Sequence, residues 1–147
     1  VSAALGAHTS VFCLGRGPAY AIANEAALKF KETCQIHAES YSSAEVLHGP
    51  VAIVDGGFPV IALASHDKSE PALAQVADAL AAKGAQVFGT STMLAKAKQL
   101  PVVRTGHSLT DPIALIASFY AMVEQIATAR GINPDAPRHL KKVTETV

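Results

Sequence analysis

The sequence is short of several residue types that mark specialised classes of protein. Its 147 residues include no Trp, two Cys and 5% aromatic residues. Two cysteines do not make a disulfide framework, so we expect a cytoplasmic protein in a reducing compartment. The twelve Lys and Arg residues equal the twelve Asp and Glu residues in number. Because binding to a phosphate backbone requires a net basic surface, we expect no nucleic-acid partner.

A long hydrophobic run is missing as well. The most apolar stretch, Ile113 to Val123, contains Ser118 and stops before Glu124. A membrane span needs roughly 20 apolar residues, so we expect no membrane partner. The sequence starts at Val1 without a Met or a charged secretory n-region. No signal peptide is visible at this start, and the missing Met predicts a piece of a longer chain.

Half of the residues are apolar, and they fall into segments with two different patterns. Short apolar runs predict strands at 11–14, 59–64, 86–88 and 100–104, with 51–54 as a short strand or turn edge. Helical patterns cover 19–33, a segment opened at 69–71 that runs to about 83, and one opened at 110–112 that ends near 130. The polar segment 35–45 and the tail 133–147 follow neither pattern. This alternation predicts an α/β fold with a mostly parallel sheet, in which ligands bind beyond the carboxyl ends of the strands.

Two polar turns follow predicted strands. Gly15-Arg16-Gly17 lacks the third glycine of a dinucleotide-binding fingerprint, because Tyr20 stands at that position. The turn is either a plain strand-to-helix connection or a site for an anion or sugar hydroxyl at the helix N-terminus. Residues 89–92, Gly-Thr-Ser-Thr, serve either helix capping, which we favour, or phosphate binding.

Metal-ligand patterns are absent from the sequence. The six His residues form no His-x-x-x-His pair, and Cys13 and Cys34 form no Cys-x-x-Cys motif. We interpret Cys13, on a predicted strand, as a small core residue. No metal is expected.

The first predicted helix carries an unusual charged stripe. Glu25, Lys29 and Glu32 are spaced so that all three lie on one helix face. The stripe is either a solvated ladder of ion pairs or a catalytic arrangement. In the second case a carboxylate would act as general base next to a carbonyl, and the Lys would neutralise charge that develops on oxygen.

Two further groups are open to a plain and a functional interpretation. His48, fixed by Gly49-Pro50, is either an ordinary loop residue or an acid–base group, for which His is well suited near neutral pH. The end of the chain is basic through Arg138, His139, Lys141 and Lys142. It is either a solvated end or a tail that folds over an anionic ligand.

Taken together, these segments resemble one known family. The matching segments are Leu14-Gly15-Arg16-Gly17, Glu25-x-x-Leu28-Lys29-x-Lys31-Glu32, His37-Ala38-Glu39, Glu45-x-x-His48-Gly49-Pro50 and the tail Asn133-Pro134-Asp135-x-Pro137-Arg138-x-Leu140-x-Lys142. They are closely similar to the second sugar isomerase (SIS) domain of glucosamine-6-phosphate synthase and related phosphosugar isomerases and aminosugar-phosphate deaminases. The resemblance covers essentially the whole chain. It implies a flavodoxin-like, three-layer α/β/α SIS domain at 1–132 and a tail at 133–147 that completes the active site.

The resemblance also implies a reaction and its residues. The reaction is the interconversion of ketose and aldose forms of a hexose 6-phosphate or hexosamine 6-phosphate, through an enediol or enolamine and without a cofactor. Glu32 matches the base that moves a proton between C1 and C2, and Lys29 matches the substrate-contacting lysine beside it. His48 matches the ring-opening histidine that a neighbouring subunit supplies, which implies a homodimer. Lys142 matches the tail lysine that reaches into the site.

The remaining expected site residues have binding or supporting roles. Glu25 is a family position with a supporting role, and we expect Gly15, Arg16, Gly17 and Arg138 to bind substrate. Family members normally have a first SIS domain upstream whose Ser-x-Ser-Gly-x-Thr loop holds the phosphate, and that loop is missing here. No glutaminase segment is present, and the amino-acid sequence of the tail is more similar to that of the deaminases. A phosphosugar-sensing module without turnover and a dimerisation scaffold remain alternatives.

Overall fold

The computed structural model describes residues 1–5 and 8–140. The regular elements in chain order are α1 (Ser2–Leu5), β1 (Ser10–Gly15), α2 (Pro18–Cys34), β2 (His37–Ser42), a short 3₁₀ helix (Pro50–Ile53), β3 (Pro59–Ala62), α3 (Glu70–Ala82), β4 (Gln86–Gly89), β5 (Lys98–Gln99) and α4 (Asp111–Ala129). Pro18, Pro71 and Pro112 stand in the first turns of α2, α3 and α4. Proline is tolerated there because its missing N–H would have no partner inside the helix.

The strands form one sheet in the order β2-β1-β3-β4-β5, and every neighbouring pair is parallel. This order, 2-1-3-4-5, is that of flavodoxin-like doubly wound folds. The predicted α/β fold with a parallel sheet is confirmed.

Two layers of helix cover the sheet, as the alternation of side chains along β1 shows. Val11 and Cys13 belong to the core cluster under α2 and α4, whereas Phe12 and Leu14 belong to the cluster under α3. Successive strand residues point to opposite faces, so a strand covered on both sides is apolar throughout. Cys13 is fully buried, as predicted for a core residue.

Two sequence-based element predictions are wrong, and of the two alternatives left open for 51–54 the structure has the turn. Residues 37–42 form strand β2 without an apolar run, because this strand lies at the sheet edge and only Ala38 in it is buried. Residues 100–104 form no strand, and β5 is confined to Lys98–Gln99. Pro101 has no N–H to donate to a ladder, and the Arg104 side chain bonds the carbonyl oxygens of Ala64 and Thr90. Residues 51–54 lie in and after the 3₁₀ helix rather than in a strand.

Helix α4 is longer than its most apolar stretch. Among residues 1–5 and 8–140 it alone meets the length and composition of a membrane span, with a mean hydropathy of 1.3. A core helix of a globular fold meets the same criteria, so this is weak evidence of a span. Leu115, Phe119, Val123 and Ile126 of α4 are buried in the core beside α2. The rings of Phe30 and Phe119 pack edge to face at 5.4 Å, which joins the two helices.

Candidate active site

Helix α2 has one apolar face and one charged face. Its small residues Ala19, Ala23, Ala26 and Ala27 are buried against the sheet with Phe30. Short side chains allow the helix to approach the strands closely, and Ala is also the best helix former. The opposite side presents Glu25, Lys29 and Glu32, which are about one turn apart, to the surface.

The three charged residues contact one another. The Lys29 Nζ atom donates a hydrogen bond of 2.6 Å to Glu32 Oε2 and lies 3.5 Å from Glu25 Oε1. Between a quarter and a third of each side chain is exposed, so the group is neither buried nor freely solvated. The predicted common face is confirmed, and Lys29 is the ammonium that links the two carboxylates.

A tyrosine from another helix completes this group. The Tyr120 hydroxyl on α4 donates a hydrogen bond of 2.9 Å to Glu25 Oε1. This bond raises the pKa of the Tyr120 hydroxyl, and so do its partial burial and the negative charge of Glu25. The site therefore forms a continuous chain from Tyr120 through Glu25 and Lys29 to Glu32.

The pKa of Lys29 reflects its two partners. The hydrogen bond to Glu32 raises the Lys29 pKa, partial desolvation opposes that rise, and the charges of Glu25 and Glu32 add to it. Lys29 is therefore cationic throughout the neutral range. A fixed cation beside a carboxylate can stabilise negative charge that develops on a substrate oxygen.

A cleft of about 470 Å³ opens beside Glu32. The residues that line it are Lys31, Glu32, Gln35, Arg138, His139 and Leu140. The first part of the tail therefore lines this cleft together with the end of α2, and it contributes the Arg138 and His139 side chains. Arg138, His139 and Leu140 thus line the cleft, whereas Lys141 and Lys142 lie outside the described residues, and completion of the active site by the tail stays a prediction.

The position of this cleft differs from the one expected for a parallel sheet. Glu32 lies in the last turns of α2, which ends just before β2 begins at His37. The cleft is therefore at the amino edge of the sheet, not beyond the carboxyl ends of the strands.

The glycine turn lies at the opposite end of α2. Gly17 and Glu32 are separated by about 22 Å, from 1.5 Å per helical residue. One hexose phosphate cannot span that length, so within one chain Gly15, Arg16 and Gly17 do not share the cleft with Glu32.

Close packing accounts for the glycines of this turn. A side chain at Gly15 would overlap the carbonyl oxygen of Ala19 and come within 2.7 Å of the Tyr20 Cα atom. Gly17 has a φ of +57°, which L side chains rarely adopt, and the Arg16 carbonyl accepts a hydrogen bond of 3.1 Å from Ser69 Oγ. These constraints support the interpretation of a plain strand-to-helix turn, and substrate binding by this turn stays a prediction.

His48 stands apart from the cleft. It is exposed, in the turn between β2 and the 3₁₀ helix, and its backbone N–H bonds the Glu45 carbonyl oxygen. It is not among the residues that line the cleft at Glu32. Supply of this His from a second subunit therefore stays a prediction.

The polar turn after β4 has a structural role that the sequence did not indicate. Thr90 Oγ1 bonds both the N–H and the carbonyl oxygen of Ala64, and Ser91 Oγ donates to Glu70 Oε1 at 2.8 Å. Both residues are buried, and the next regular element after them is strand β5 rather than a helix. The favoured interpretation, helix capping, is wrong, and these hydroxyls are engaged within the protein.

Two site residues escaped sequence reasoning. Tyr120 is 95 positions from Glu25, so no local pattern connects them. His139 was visible only as one member of a basic tail, and its place in the cleft depends on the path of the chain after α4. Within the described part of the chain, no group of three or more His, Cys, Asp or Glu residues could hold a metal ion.

Comparisons with known proteins agree with this fold. Residues 5–130 match the SIS domain family. The chain is 38% identical over 148 residues to a glutamine–fructose-6-phosphate aminotransferase (isomerizing) of Symbiobacterium thermophilum, covering 95% of this chain and 24% of that protein.

Solved structures give the same assignment. A candidate phosphosugar isomerase from Silicibacter pomeroyi is 61% identical, with a TM-score of 0.86 over 91% of this chain and 41% of that one. The C-terminal domain of glucosamine-fructose-6-phosphate aminotransferase from Francisella tularensis is 27% identical, with a TM-score of 0.81 over 90% of this chain and 39% of that one. The chain spans about a quarter of the length of the curated relatives it matches. It belongs to the SIS domain family.

Proposed function

We propose that this chain is the phosphosugar-binding domain of an isomerase that interconverts aldose and ketose forms of hexose or hexosamine 6-phosphates. The observation that carries the proposal is the contact between Lys29 and Glu32, because Glu32 itself lines a cleft with Arg138 and His139. A carboxylate, a fixed cation and basic side chains for an anionic substrate are what such proton transfer requires.

The proposed reaction starts with Glu32 as general base. Its carboxylate removes the proton from C2 of the open-chain aldose, and the electron pair of that C–H bond forms the C1–C2 double bond. The carbonyl oxygen at C1 takes up the displaced electron pair, and Lys29 stabilises the resulting negative charge. The proton of the C2 hydroxyl group passes to the oxygen at C1, and Glu32 returns the proton that it removed to C1 while the carbonyl forms at C2, which yields the ketose.

With a 2-amino sugar, the same proton transfer leads to deamination. It gives an imine at C2 of the ketose, and water attacks that carbon to release ammonia. Deaminase-type activity therefore needs no second base at the carbon, only access of water. The tail sequence Asn133-Pro134-Asp135 favours deamination, whereas the similarity to aminotransferases favours nitrogen transfer. The test therefore covers both reactions.

The chain supplies the base, and other groups are proposed to complete the site. We propose that Lys142 reaches the cleft from the tail, that His48 enters the site of a second copy to open the sugar ring, and that an upstream SIS domain holds most of the phosphate. The short span of this chain relative to its relatives supports that last point.

The test measures hydrogen exchange at carbon. The protein is incubated in deuterated water with fructose 6-phosphate or glucosamine 6-phosphate, and deuterium at C1 and C2 is followed by NMR, with ammonia assayed in parallel. We expect Glu32→Gln to abolish exchange while sugar-phosphate binding is kept. Glu124→Gln, which removes an exposed carboxylate on α4, is the matched control and should exchange like the wild type.

The outcomes separate the alternatives. Exchange that persists in Glu32→Gln would remove Glu32 from the role of base. Binding of the sugar phosphate by the wild type without exchange, in this chain and in a longer protein that contains it, would indicate a sensing module. Absence of binding would indicate a scaffold.

A further inference from the structure

Tyr120 touches a carboxylate that competes for the ammonium of Lys29. Glu25 Oε1 accepts the Tyr120 hydrogen bond at 2.9 Å and lies 3.5 Å from Lys29 Nζ, whereas Glu32 Oε2 lies 2.6 Å from the same Nζ atom. Glu25 and Glu32 stand on either side of Lys29 along one helix face. The two carboxylates therefore offer the ammonium alternative partners.

The hydrogen bond from Tyr120 to Glu25 offers a physical reason for the difference between the two distances. A carboxylate oxygen that accepts an O–H hydrogen bond is held in place by it, and bonds to charged groups are the stronger kind. Bound to Tyr120 on the neighbouring helix, Glu25 is kept in loose rather than tight contact with Lys29. Lys29 is then left to donate its short hydrogen bond to Glu32.

We propose that Tyr120 is a positioning residue that restrains Glu25 and thereby keeps Lys29 paired with the general base Glu32. The consequence for catalysis rests on the proposed function. The effect of Tyr120 on the Lys29–Glu32 pair does not rest on the proposed function.

The hydroxyl of Tyr120 is not needed to hold the two helices together. Its side chain is 43% exposed. The contact between α2 and α4 is made instead by buried groups, among them the Phe30 and Phe119 rings, which pack edge to face. Tyr120→Phe removes one oxygen and leaves this packing in place.

The test uses Tyr120→Phe with Tyr41→Phe as the matched control. Tyr41 also donates a hydrogen bond of 2.9 Å to a nearby glutamate, Glu39, so the control removes an equivalent bond on the edge strand β2. The first readout is NMR of the Lys29 ammonium and the Glu32 side-chain carboxyl carbon. We expect both signals to shift in Tyr120→Phe and neither to shift in Tyr41→Phe.

The second readout is kinetic. We expect Tyr120→Phe to lower kcat for proton transfer about tenfold, because small displacements of catalytic groups are costly, with KM changed less than twofold. In a Glu25→Gln background the same substitution should have no further effect on kcat, because a neutral amide no longer competes for the ammonium. A purely structural role of Tyr120 would instead reduce stability and leave the loss unchanged in that background.

The two readouts distinguish failure of this inference from failure of the proposed function. Unchanged Lys29 and Glu32 signals in Tyr120→Phe would overturn the positioning role, whatever the activity. Shifted signals in a protein that shows no exchange with either sugar phosphate would uphold the positioning of the pair and overturn the proposed reaction. Shifted signals with an unchanged kcat would overturn the catalytic consequence.

Discussion

Gly17 and Glu32 mark the two ends of one helix, about 22 Å apart by the rise of an α-helix. Gly17 forms the tight turn after β1 at the carboxyl edge of the sheet, and Glu32 faces the cleft at the amino edge. The two segments that resemble the family, 14–17 and 25–32, therefore have different roles. The first allows close packing of strand and helix, and the second presents the charged side chains of the candidate site.

Replacement of Lys29 tests its role as the fixed cation. Lys29→Met should reduce proton-transfer turnover by about 10²-fold, a usual cost for losing one electrostatic stabiliser, while Lys83→Met on the exposed end of α3 should have no effect. The hydrogen bond to Glu32 raises the Lys29 pKa. Stabilisation from the pair is therefore fully present below the ordinary Lys value of about 10.4 and is lost only as the pH rises through the higher folded value. Turnover measured from pH 6 to 9 should show no decline caused by Lys29.

Mixing of two inactive variants tests the sharing of His48 between subunits. Glu32→Gln and His48→Asn should each be inactive, and a refolded equal mixture should regain about a quarter of wild-type turnover. In a two-fold symmetric dimer, half of the molecules are then hybrids and each hybrid has one intact site. A mixture that stays inactive, or a monomer with full activity, would contradict the shared site.

Removal of the Arg138 charge tests whether the cleft binds an anion. Arg138→Gln should weaken the binding of glucosamine 6-phosphate about tenfold, in the range of one charge-assisted hydrogen bond, with a small effect on kcat. Lys68→Gln removes an exposed positive charge at the opposite edge of the sheet and is the control. Isothermal titration calorimetry measures the affinity of each variant for glucosamine 6-phosphate, and equal affinities for the two variants would exclude Arg138 from binding.

An ion pair between the buried Asp111 and the partly exposed Arg104 lies at the carboxyl edge of the sheet. Asp111 accepts hydrogen bonds from the backbone N–H groups of His66 and Thr105 and from Arg104 at 2.6 Å. Burial alone would raise the Asp111 pKa, but these donors and the Arg104 charge together lower it. Its contribution to stability is thus present above the unfolded value of about 3.9 and is lost as the pH falls through the lower folded value.

Asp111→Asn should accordingly reduce the free energy of unfolding by about 2 to 3 kcal/mol at pH 7. The difference from the wild type should begin to shrink below about pH 4, where the unfolded chain takes up a proton at this carboxyl group, and should vanish once the pH has fallen through the lower folded value. Urea unfolding at several pH values measures this difference in the free energy of unfolding. Asp55→Asn, at an exposed position, should stay within about 0.5 kcal/mol of the wild type, and an equal loss in both variants would refute the special role of Asp111.

The close approach at Gly15 makes a separate prediction about stability. Gly15→Ala should cost about 2 to 3 kcal/mol, because the new methyl group overlaps backbone atoms of α2 that cannot move aside easily. Gly56→Ala is the control, since nothing lies within 4 Å of a Cβ atom there. The urea midpoint of Gly15→Ala should fall clearly, and an unchanged midpoint would show that α2 can shift away from β1.

Much of the fold could be predicted from the sequence because its signals are local. Apolar runs covered on both faces and alanine-rich helical patterns identified β1, β3, β4 and the three long helices. Strand β2 was missed because an edge strand buries one side chain, Ala38, and carries no apolar run. The segment 100–104 was misassigned because Leu100 and Val102 pack against the core while the pairing with β4 ends at Leu100, whose N–H bonds the Gly89 carbonyl oxygen, just before Pro101.

The candidate site likewise combines features that the sequence predicts with features that depend on the tertiary structure. The common face of Glu25, Lys29 and Glu32 follows from helical spacing, since neighbours three and four residues apart share a face. The sequence by itself determined this charged stripe, the parallel α/β class and the family. The tertiary structure alone decided that Tyr120 bonds Glu25, that Arg138 and His139 lie beside Glu32, and that Gly17 does not. Those relations join segments far apart in the chain, and they depend on how α4 and the tail pack against α2 rather than on any local pattern.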